Sequence, residues 1–274
     1  PNQPGWKIRV VPNKFAAFDI NENLEEVTED KDGFYKKLSG FGAAEVLIES
    51  NEHDDTFGTL SLNHVEEIIK VLKERHADLH QDQRLKYVQI FKNFGGTAGA
   101  SLEHPHWQIM ATPVVPAAIC GEVAGARKFY EQNKSCVYCQ MLKHELNLGI
   151  RVVEENNEFV VFNPYASRRP FETWIIPKEH QHSFGDITTT EINSLARSLK
   201  EIVRKLEVGF NNHPFNIILH TTPFVEGTEE IYHWHIGILP RLTIAAGFEL
   251  GTGNYINPTP PELATQSLKE IKIH

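Results

Sequence analysis

The sequence is poor in cysteine and in long apolar segments, and it has no excess of positive charge. Its three cysteines are Cys120, Cys136 and Cys139, and an odd number with one close pair does not fit a disulfide framework. The formal net charge is −9, whereas general DNA- or RNA-binding proteins are usually basic. No apolar run approaches the roughly 18 residues of a transmembrane helix, and no signal peptide is visible. We therefore expect a cytoplasmic protein that binds neither nucleic acid nor membrane.

The composition is otherwise typical of a globular protein. Hydrophobic residues make up 41% of the chain and charged residues 23%. With 274 residues, the chain can form one large domain or two units of roughly 130 residues. A repeated pattern of strand, histidine, helix, strand and histidine-bearing strand favours two units. The paired histidines are 51 residues apart in the first half, at His53 and His104, and 53 apart in the second, at His180 and His233.

This duplication predicts an α+β fold with two tandem repeats, each an antiparallel sheet with one covering helix. We assign residues 1–116 to an N-terminal repeat and residues 117–274 to a C-terminal repeat. Residues 117–150 are predicted to form a linker that carries the close cysteine pair.

Four potential metal ligands occur in the second half: Cys136, Cys139, His180 and His233. Two thiolates and two imidazoles form a tetrahedral set that Zn²⁺ prefers, and cysteines separated by two residues can chelate from one turn. A structural zinc would also anchor a linker with little apolar core. The alternatives are a reduced cysteine pair beside unrelated histidines, or a site that uses His144 or His182.

The first half contains the matching histidines, His53 and His104, but no cysteine. In the second half Cys139 precedes the strand that begins at Phe159 by 20 residues. The same spacing in the first half would place a Cys-X2-Cys pair upstream of Pro1. We therefore expect a second zinc site that is only partly contained in this sequence. The alternative is a pair of hydrogen-bonded histidines without a metal.

A glycine-rich loop, Gly95–Gly99, leads into a strand that begins with closely spaced histidines. His106 follows His104 by two residues and therefore faces the same side of that strand. A neutral imidazole is a good nucleophile toward phosphorus when its other ring nitrogen is tied to an acceptor. Gln108, Ser101 and backbone N–H groups at the end of the loop can donate to phosphate oxygens. We predict that His106 is the nucleophile of a phosphate-binding site; the alternative is a structural strand.

At these residues the sequence resembles the galactose-1-phosphate uridylyltransferase family, a nucleotidyltransferase branch of the histidine triad superfamily. His104-Pro105-His106-X-Gln108 matches its His-Pro-His-X-Gln signature. Similar blocks span nearly the whole chain: Val11–Phe15, Pro113–Pro116, Trp174–Lys178, His233–Leu242 and Ala246–Asn257. ADP-glucose phosphorylase is similar in the same blocks. The resemblance implies that both repeats are histidine-triad-like.

The resemblance implies a two-step transfer through a covalent intermediate. His106 would attack the α-phosphorus of UDP-glucose, release glucose-1-phosphate, and pass the uridylyl group to galactose-1-phosphate. This UDP-glucose:galactose-1-phosphate uridylyltransferase activity belongs to galactose metabolism. One alternative is ADP-glucose or another nucleoside-diphosphate-sugar phosphorylase, or an adenylyltransferase. A second alternative is a nucleotide-binding sensor without turnover.

The resemblance also implies roles for individual residues. Gln108 corresponds to a glutamine that contacts phosphate. Asn13 and Asn93 correspond to positions that hold the nucleoside and the phosphates. Phe248 and Glu249 correspond to a segment that reaches the hexose from the partner subunit of a homodimer.

The resemblance places metal ligands at six positions: His53, His104, Cys136, Cys139, His180 and His233. It leaves zinc or iron open at the second-half site. Trp107 stands where the family has a small residue, which implies a changed pocket shape. His235 occupies the position of the nucleophile in the second repeat, but Gly237 replaces the glutamine. We therefore expect the second repeat to be a structural copy.

Overall fold

The computed structural model describes residues 5–28 and 32–273, which form a mixture of strands and helices. The strands are β1 Arg9–Pro12, β2 Glu26–Thr28, β3 Lys36–Leu38, β4 Ala43–Ile48, β5 Tyr87–Phe94, β6 His106–Thr112, β7 Val152–Glu155, β8 Phe159–Phe162, β9 Thr173–Pro177, β10 Phe215–His220 and β11 His235–Pro240. The α-helices are α1 Leu62–His80, α2 Ala117–Asn133, α3 Val137–Leu148, α4 Thr189–Gly209, α5 Gly247–Thr252 and α6 Pro261–Glu270. Two 3₁₀ turns span Gly96–Ala98 and Phe184–Asp186.

One antiparallel sheet contains nine of these strands, in the order β1-β4-β6-β5-β10-β11-β9-β8-β7. The first four come from the N-terminal repeat and the other five from the C-terminal repeat. The two groups join where β5 pairs with β10, from Phe94 opposite Phe215 to Ile90 opposite Leu219. The predicted α+β fold with antiparallel sheets is confirmed. The two half-sheets form one sheet, because β5 and β10 satisfy each other's free backbone groups at the edge.

Helices α1 and α4 cover one face of this sheet. Thr188 caps α4 in a capping box with Glu191. Leu195, Leu199 and Ile202 recur at helical spacing and are buried. These side chains belong to one apolar cluster that contains residues of both repeats. The two repeats therefore share a single core.

The opposite face of the sheet differs between the repeats. In the second repeat α2 and α3 pack over it, in a cluster that includes Tyr138 and Phe162. The predicted linker at 117–150 is therefore wrong: these residues form two helices. Helix α2 buries only Ile119 and Ala126, so its sequence carries little helical periodicity.

In the first repeat the corresponding face is more open, since Val46, Gln108 and Met110 are only half-buried. Among the described residues, the helices fall short of the length and apolar character that crossing a bilayer requires.

Candidate active site and metal centre

His106 is the first residue of β6, and it is 7% exposed. Its Nδ1 lies 2.8 Å from the backbone carbonyl oxygen of His104. Because a carbonyl oxygen can only accept a hydrogen bond, Nδ1 carries the proton and Nε2 keeps its lone pair. The chain's own backbone thus fixes the tautomer that an Nε2 nucleophile needs.

Gln108 and Asn93 lie on the same face of the sheet as His106. Side chains alternate along β6, so Gln108 faces the same side as His106. The register places Gln108 opposite Phe91 of β5, so Asn93, two residues further on, also points to this face. The structure therefore brings together three of the predicted site residues.

Trp107 lies on the other face. It is 2% exposed and packs edge-on against Phe57, with ring centroids 5.9 Å apart. The expectation that Trp107 changes the pocket shape is wrong, because strand alternation turns its side chain into the helix-covered core.

The glycine-rich loop has a backbone that only glycine adopts readily. Gly95 and Gly99 have φ values of 80° and 89°. A Cβ atom at Gly95 would lie 2.6 Å from Cγ of Pro214, which leaves no space for a side chain. The loop lines a cavity of about 410 Å³ together with Ser101 and His104. The lining also includes Asn93 and Pro105, the residue before His106, so backbone donors of the loop lie near the predicted site.

The second repeat contributes two residues that the sequence analysis missed. Nδ2 of Asn216 donates to Oδ1 of Asn93 at 2.7 Å and to the backbone carbonyl of Ala98 at 2.8 Å. Nε of Arg241 in turn donates to Oδ1 of Asn216. Asn216 lies in β10, and its approach to the loop follows from the β5–β10 pairing. The sequence alone could not indicate this role of Asn216, because the role depends on how the two repeats join.

Other predicted substrate residues lie apart from His106 in this single chain. Asn13 lines a separate cavity of about 780 Å³ beside β4. Phe248 and Glu249 begin α5, where Phe248 is 54% exposed and Glu249 accepts a hydrogen bond from the N–H of Ala246 at 2.9 Å. Neither of these two residues lines either cavity.

His53 and His104 face each other in the first repeat. Their Nδ1 atoms are 3.3 Å apart. Nε2 of His104 donates to the backbone carbonyl of Ser50 at 2.8 Å, so its Nδ1 carries a lone pair. The arrangement supplies two convergent nitrogen donors, which is half of a tetrahedral metal set.

The second repeat assembles the four predicted ligands: Cys136, Cys139, His180 and His233. One ligand atom of each lies within 4.8 Å of all the others. Sγ of Cys139 is 3.2 Å from Nδ1 of His180 and 3.5 Å from Nδ1 of His233. Nε2 of His180 donates to the backbone carbonyl of Glu229 at 2.8 Å, which leaves its Nδ1 lone pair facing the sulfurs.

The four side chains share protons. The hydrogen bond between the two cysteines lowers the pKa of Cys136 and raises the pKa of Cys139. A hydrogen bond with Cys136 raises the pKa of His180, so metal binding would release protons from this group. Thiolate sulfur and imidazole nitrogen are donors that fit a tetrahedral divalent ion. His144 and His182 lie outside this group among the described residues, and His182 instead approaches Asp186 at 4.0 Å.

His235 makes the same type of hydrogen bond as His106, but its ring is completely surrounded by other side chains. Its Nδ1 lies 3.1 Å from the backbone carbonyl oxygen of His233. Its ring stacks between Trp174 and His220, with centroids 4.1 Å and 4.7 Å away. Burial lowers the pKa of His235 to about 3. The neighbouring His220 is 3.2 Å from the Glu122 carboxylate of α2, another contact that the sequence analysis missed.

Comparisons with known proteins match this arrangement over most of the chain. The family model described as galactose-1-phosphate uridyl transferase, N-terminal domain, matches residues 3–116, and the corresponding C-terminal domain model matches residues 122–255. ADP-glucose phosphorylase of Arabidopsis thaliana is 34% identical over 275 residues, covering 99% of this chain and 76% of that protein. Galactose-1-phosphate uridylyltransferase of Thermotoga maritima is 31% identical over 249 residues, covering 88% and 78%.

A similar solved structure is an ADP-glucose phosphorylase from Arabidopsis thaliana with bound ADP-glucose. Its TM-score is 0.88 at 32% identity, and the match covers 100% of this chain and 84% of that chain. A uridylyltransferase structure has the same TM-score at 28% identity, with coverage of 97% and 86%. By its two matched domains and its similarity to these relatives, the chain belongs to the galactose-1-phosphate uridylyltransferase family of nucleotidyltransferases.

Proposed function

We propose that the protein transfers a nucleotidyl group from a nucleoside-diphosphate glucose through a covalent adduct on His106. The observation that carries this proposal is the hydrogen bond from Nδ1 of His106 to the His104 carbonyl, which leaves the lone pair on Nε2. The proposed catalytic repeat is residues 1–116. Residues 117–274 are the proposed supporting repeat, in which α2 and α3 enclose His235.

In the first step Nε2 of His106 forms a bond to the α-phosphorus. The bond from that phosphorus to the bridging oxygen breaks, and glucose-1-phosphate leaves with the electron pair. The Nδ1–H bond to the His104 carbonyl stabilises the positive charge that develops on the ring. Gln108, Ser101 and backbone N–H groups of the loop are the proposed donors to the phosphate oxygens.

In the second step an acceptor oxygen displaces His106 from the nucleotidyl group. With galactose-1-phosphate as acceptor, the reaction is UDP-glucose:galactose-1-phosphate uridylyltransfer. With inorganic phosphate as acceptor, it is ADP-glucose phosphorolysis. The relative named ADP-glucose phosphorylase matches 99% of the chain at 34% identity, which favours testing adenylyl transfer on equal terms.

Zinc is the proposed ion for Cys136, Cys139, His180 and His233. Two thiolates favour zinc over the harder ions, although the same set can hold iron. When bound, the ion would tie α3 to the sheet as a structural crosslink. His53 and His104 are the proposed partial second site.

We further propose a homodimer in which α5 reaches the partner's site. The segment around α5 exposes a run of apolar side chains: Ile244, Phe248, Leu250 and Ile256. Such a concentration of exposed apolar surface is typical of an interaction site. Phe248 and Glu249 would then contact the sugar bound at the partner's His106.

A donor–acceptor matrix tests these proposals. The protein is incubated with labelled UDP-glucose or ADP-glucose, then with galactose-1-phosphate or inorganic phosphate. Label should appear on the protein with one donor and leave with one acceptor, and His106→Gly should remain unlabelled. Binding of the donor without any labelling of the wild type would instead support the nucleotide-binding sensor.

A further inference from the structure

A buried ion pair lies beneath the strand that carries His106. Nζ of Lys92 is 2.7 Å from Oε1 of Glu49, and the two side chains are 2% and 0% exposed. Glu49 directly follows β4, and Lys92 lies in β5. Because β6 lies between β4 and β5 in the sheet, the pair bridges the two flanking strands on the helix-covered side of β6.

The pair is linked to the peptide next to the nucleophile. The backbone N–H of Glu49 donates to the carbonyl of Pro105 at 3.1 Å, and Pro105 immediately precedes His106. On the other side, Lys92 immediately precedes Asn93, which faces the site. One end of the ion pair is therefore hydrogen-bonded to the residue before His106, and the other end is the residue before Asn93.

The second repeat provides an internal comparison for this position. When β6 is aligned with β11 through the strand register, Glu49 corresponds to Pro177 and Lys92 corresponds to Leu219. Pro177 and Leu219 are both buried and apolar. The second repeat therefore forms the corresponding junction without charged residues, and also without the backbone hydrogen bond, because proline has no N–H.

A buried ion pair is not expected at this position if its only role is to stabilise the fold. Apolar residues of similar volume often replace a buried ion pair without loss of stability, because both charges must be desolvated. Oε2 of Glu49 has no hydrogen-bond partner among the described residues, which adds to that cost. The charged pair occurs in the repeat that contains the glycine-rich loop and Gln108.

We infer that Glu49 and Lys92 are positioning residues that hold the Pro105–His106 peptide in the geometry needed for attack on phosphorus. The inference rests on the proposed nucleotidyl transfer through His106. The charge-assisted hydrogen bond holds Nζ of Lys92 and the Glu49 carboxylate at a short separation, whereas apolar side chains can pack in several ways. The pair thereby fixes the spacing of β4 and β5 on either side of the nucleophile's strand.

The test replaces the pair with apolar residues in the full chain, as Glu49→Met/Lys92→Leu. The midpoint of unfolding in urea should stay unchanged or rise. The single-turnover rate of adduct formation should fall about 10- to 100-fold, because small displacements of a nucleophile are costly. Donor affinity should stay unchanged. The reversed pair, Glu49→Lys/Lys92→Glu, should recover most of the lost rate.

The matched control is the buried ion pair of Glu145 and Arg151, whose side chains are 3% and 6% exposed. Arg151 borders β7, which lies six strands from β6. Glu145→Leu/Arg151→Met should leave the rate of adduct formation within twofold of wild type. The inference is overturned if the apolar Glu49–Lys92 replacement keeps the wild-type rate, or if it fails to fold. A wild type that never forms the adduct would overturn the proposed function, and the inference with it.

Discussion

At the scale of single residues, the surroundings of an imidazole decide its chemistry. His106 and His235 each bond through Nδ1 to the carbonyl of a histidine two residues earlier. His235 is stacked and closed off beneath α2 and α3, whereas His106 lies beside a loop-lined cavity. The His-X-His spacing alone could predict that the two histidines occupy equivalent positions. The burial of His235 could not be predicted from it, because that burial depends on helices elsewhere in the chain.

Gln108→Ala tests the neighbouring amide of the site. Loss of one donor to a developing phosphate charge typically lowers a rate by about 10²- to 10³-fold. We expect that decrease in the single-turnover rate of adduct formation, with little change in the midpoint of unfolding because Gln108 is only half-buried. Gln140→Ala, in α3, is the matched control. An unchanged rate in Gln108→Ala would remove Gln108 from the phosphate site.

His76 makes a separate prediction about stability and pH. Burial, with a smaller effect from His80, lowers the pKa of His76 from 6.5 to about 4. Between these values the unfolded chain binds more protons than the folded chain, so the free energy of unfolding rises with pH. The contribution of His76 is at most roughly 1.4 kcal/mol per pH unit.

Urea unfolding between pH 4 and 6.5 measures this slope. His76→Leu should have a shallower pH dependence than wild type, because the neutral side chain has no proton to gain on unfolding. The exposed His144 serves as control, and His144→Gln should keep the wild-type slope. Equal slopes in all three proteins would contradict the prediction.

At the scale of elements, the pairing of β5 with β10 joins the glycine-rich loop to the second repeat. Asn216 is the residue that connects them, through Asn93 and the carbonyl of Ala98. Asn216→Leu should lower the free energy of unfolding by about 1–3 kcal/mol, because it leaves buried polar groups without partners. It should also slow adduct formation. Asn133→Ala, on the surface of α2, is the control, and similar stabilities of the two variants would contradict the prediction.

The elements also show what could be predicted from the sequence. Strands with strong alternation and the amphipathic helix α4 were predictable, because each buries a regular face. Residues 117–150 were not, since α2 buries few residues and its packing partners lie far along the chain. The alternation of side chains along β6 was sufficient to predict that Trp107 faces away from His106. The resemblance to the family had instead suggested that Trp107 lies in the pocket.

At the scale of the whole molecule, two similar repeats form one sheet and one shared core, with different coverings on the other face. The signature around His106 and the Cys136–Cys139 pair could be predicted from short spacings, and His180 and His233 could be predicted from the spacing that the two repeats share. The contributions of Asn216 and Arg241 could not, because they depend on the edge at which the half-sheets meet. The open face in the first repeat and the enclosed one in the second account for one proposed catalytic site.

A metal bound at the proposed centre would stabilise the whole molecule, because the four candidate ligands lie at α3, in the turn after β9 and just before β11. The purified protein should contain at least one zinc or iron per chain. Cys139→Ser should lose about one equivalent and unfold at a lower temperature. Cys120→Ser, which changes the exposed cysteine, is the control. Equal metal contents in wild type and Cys139→Ser would argue against this centre.

The most direct measurement is the intact mass of the protein after incubation with UDP-glucose or ADP-glucose without an acceptor. A mass increase of one uridylyl or adenylyl group is expected, stable to base and lost in acid, as a phosphorus–nitrogen bond should be. Peptide mapping should place the group on His106, and His106→Gly should show no increase. An unmodified wild type that still turns over the donor, or an adduct on another residue, would contradict nucleophilic catalysis by His106.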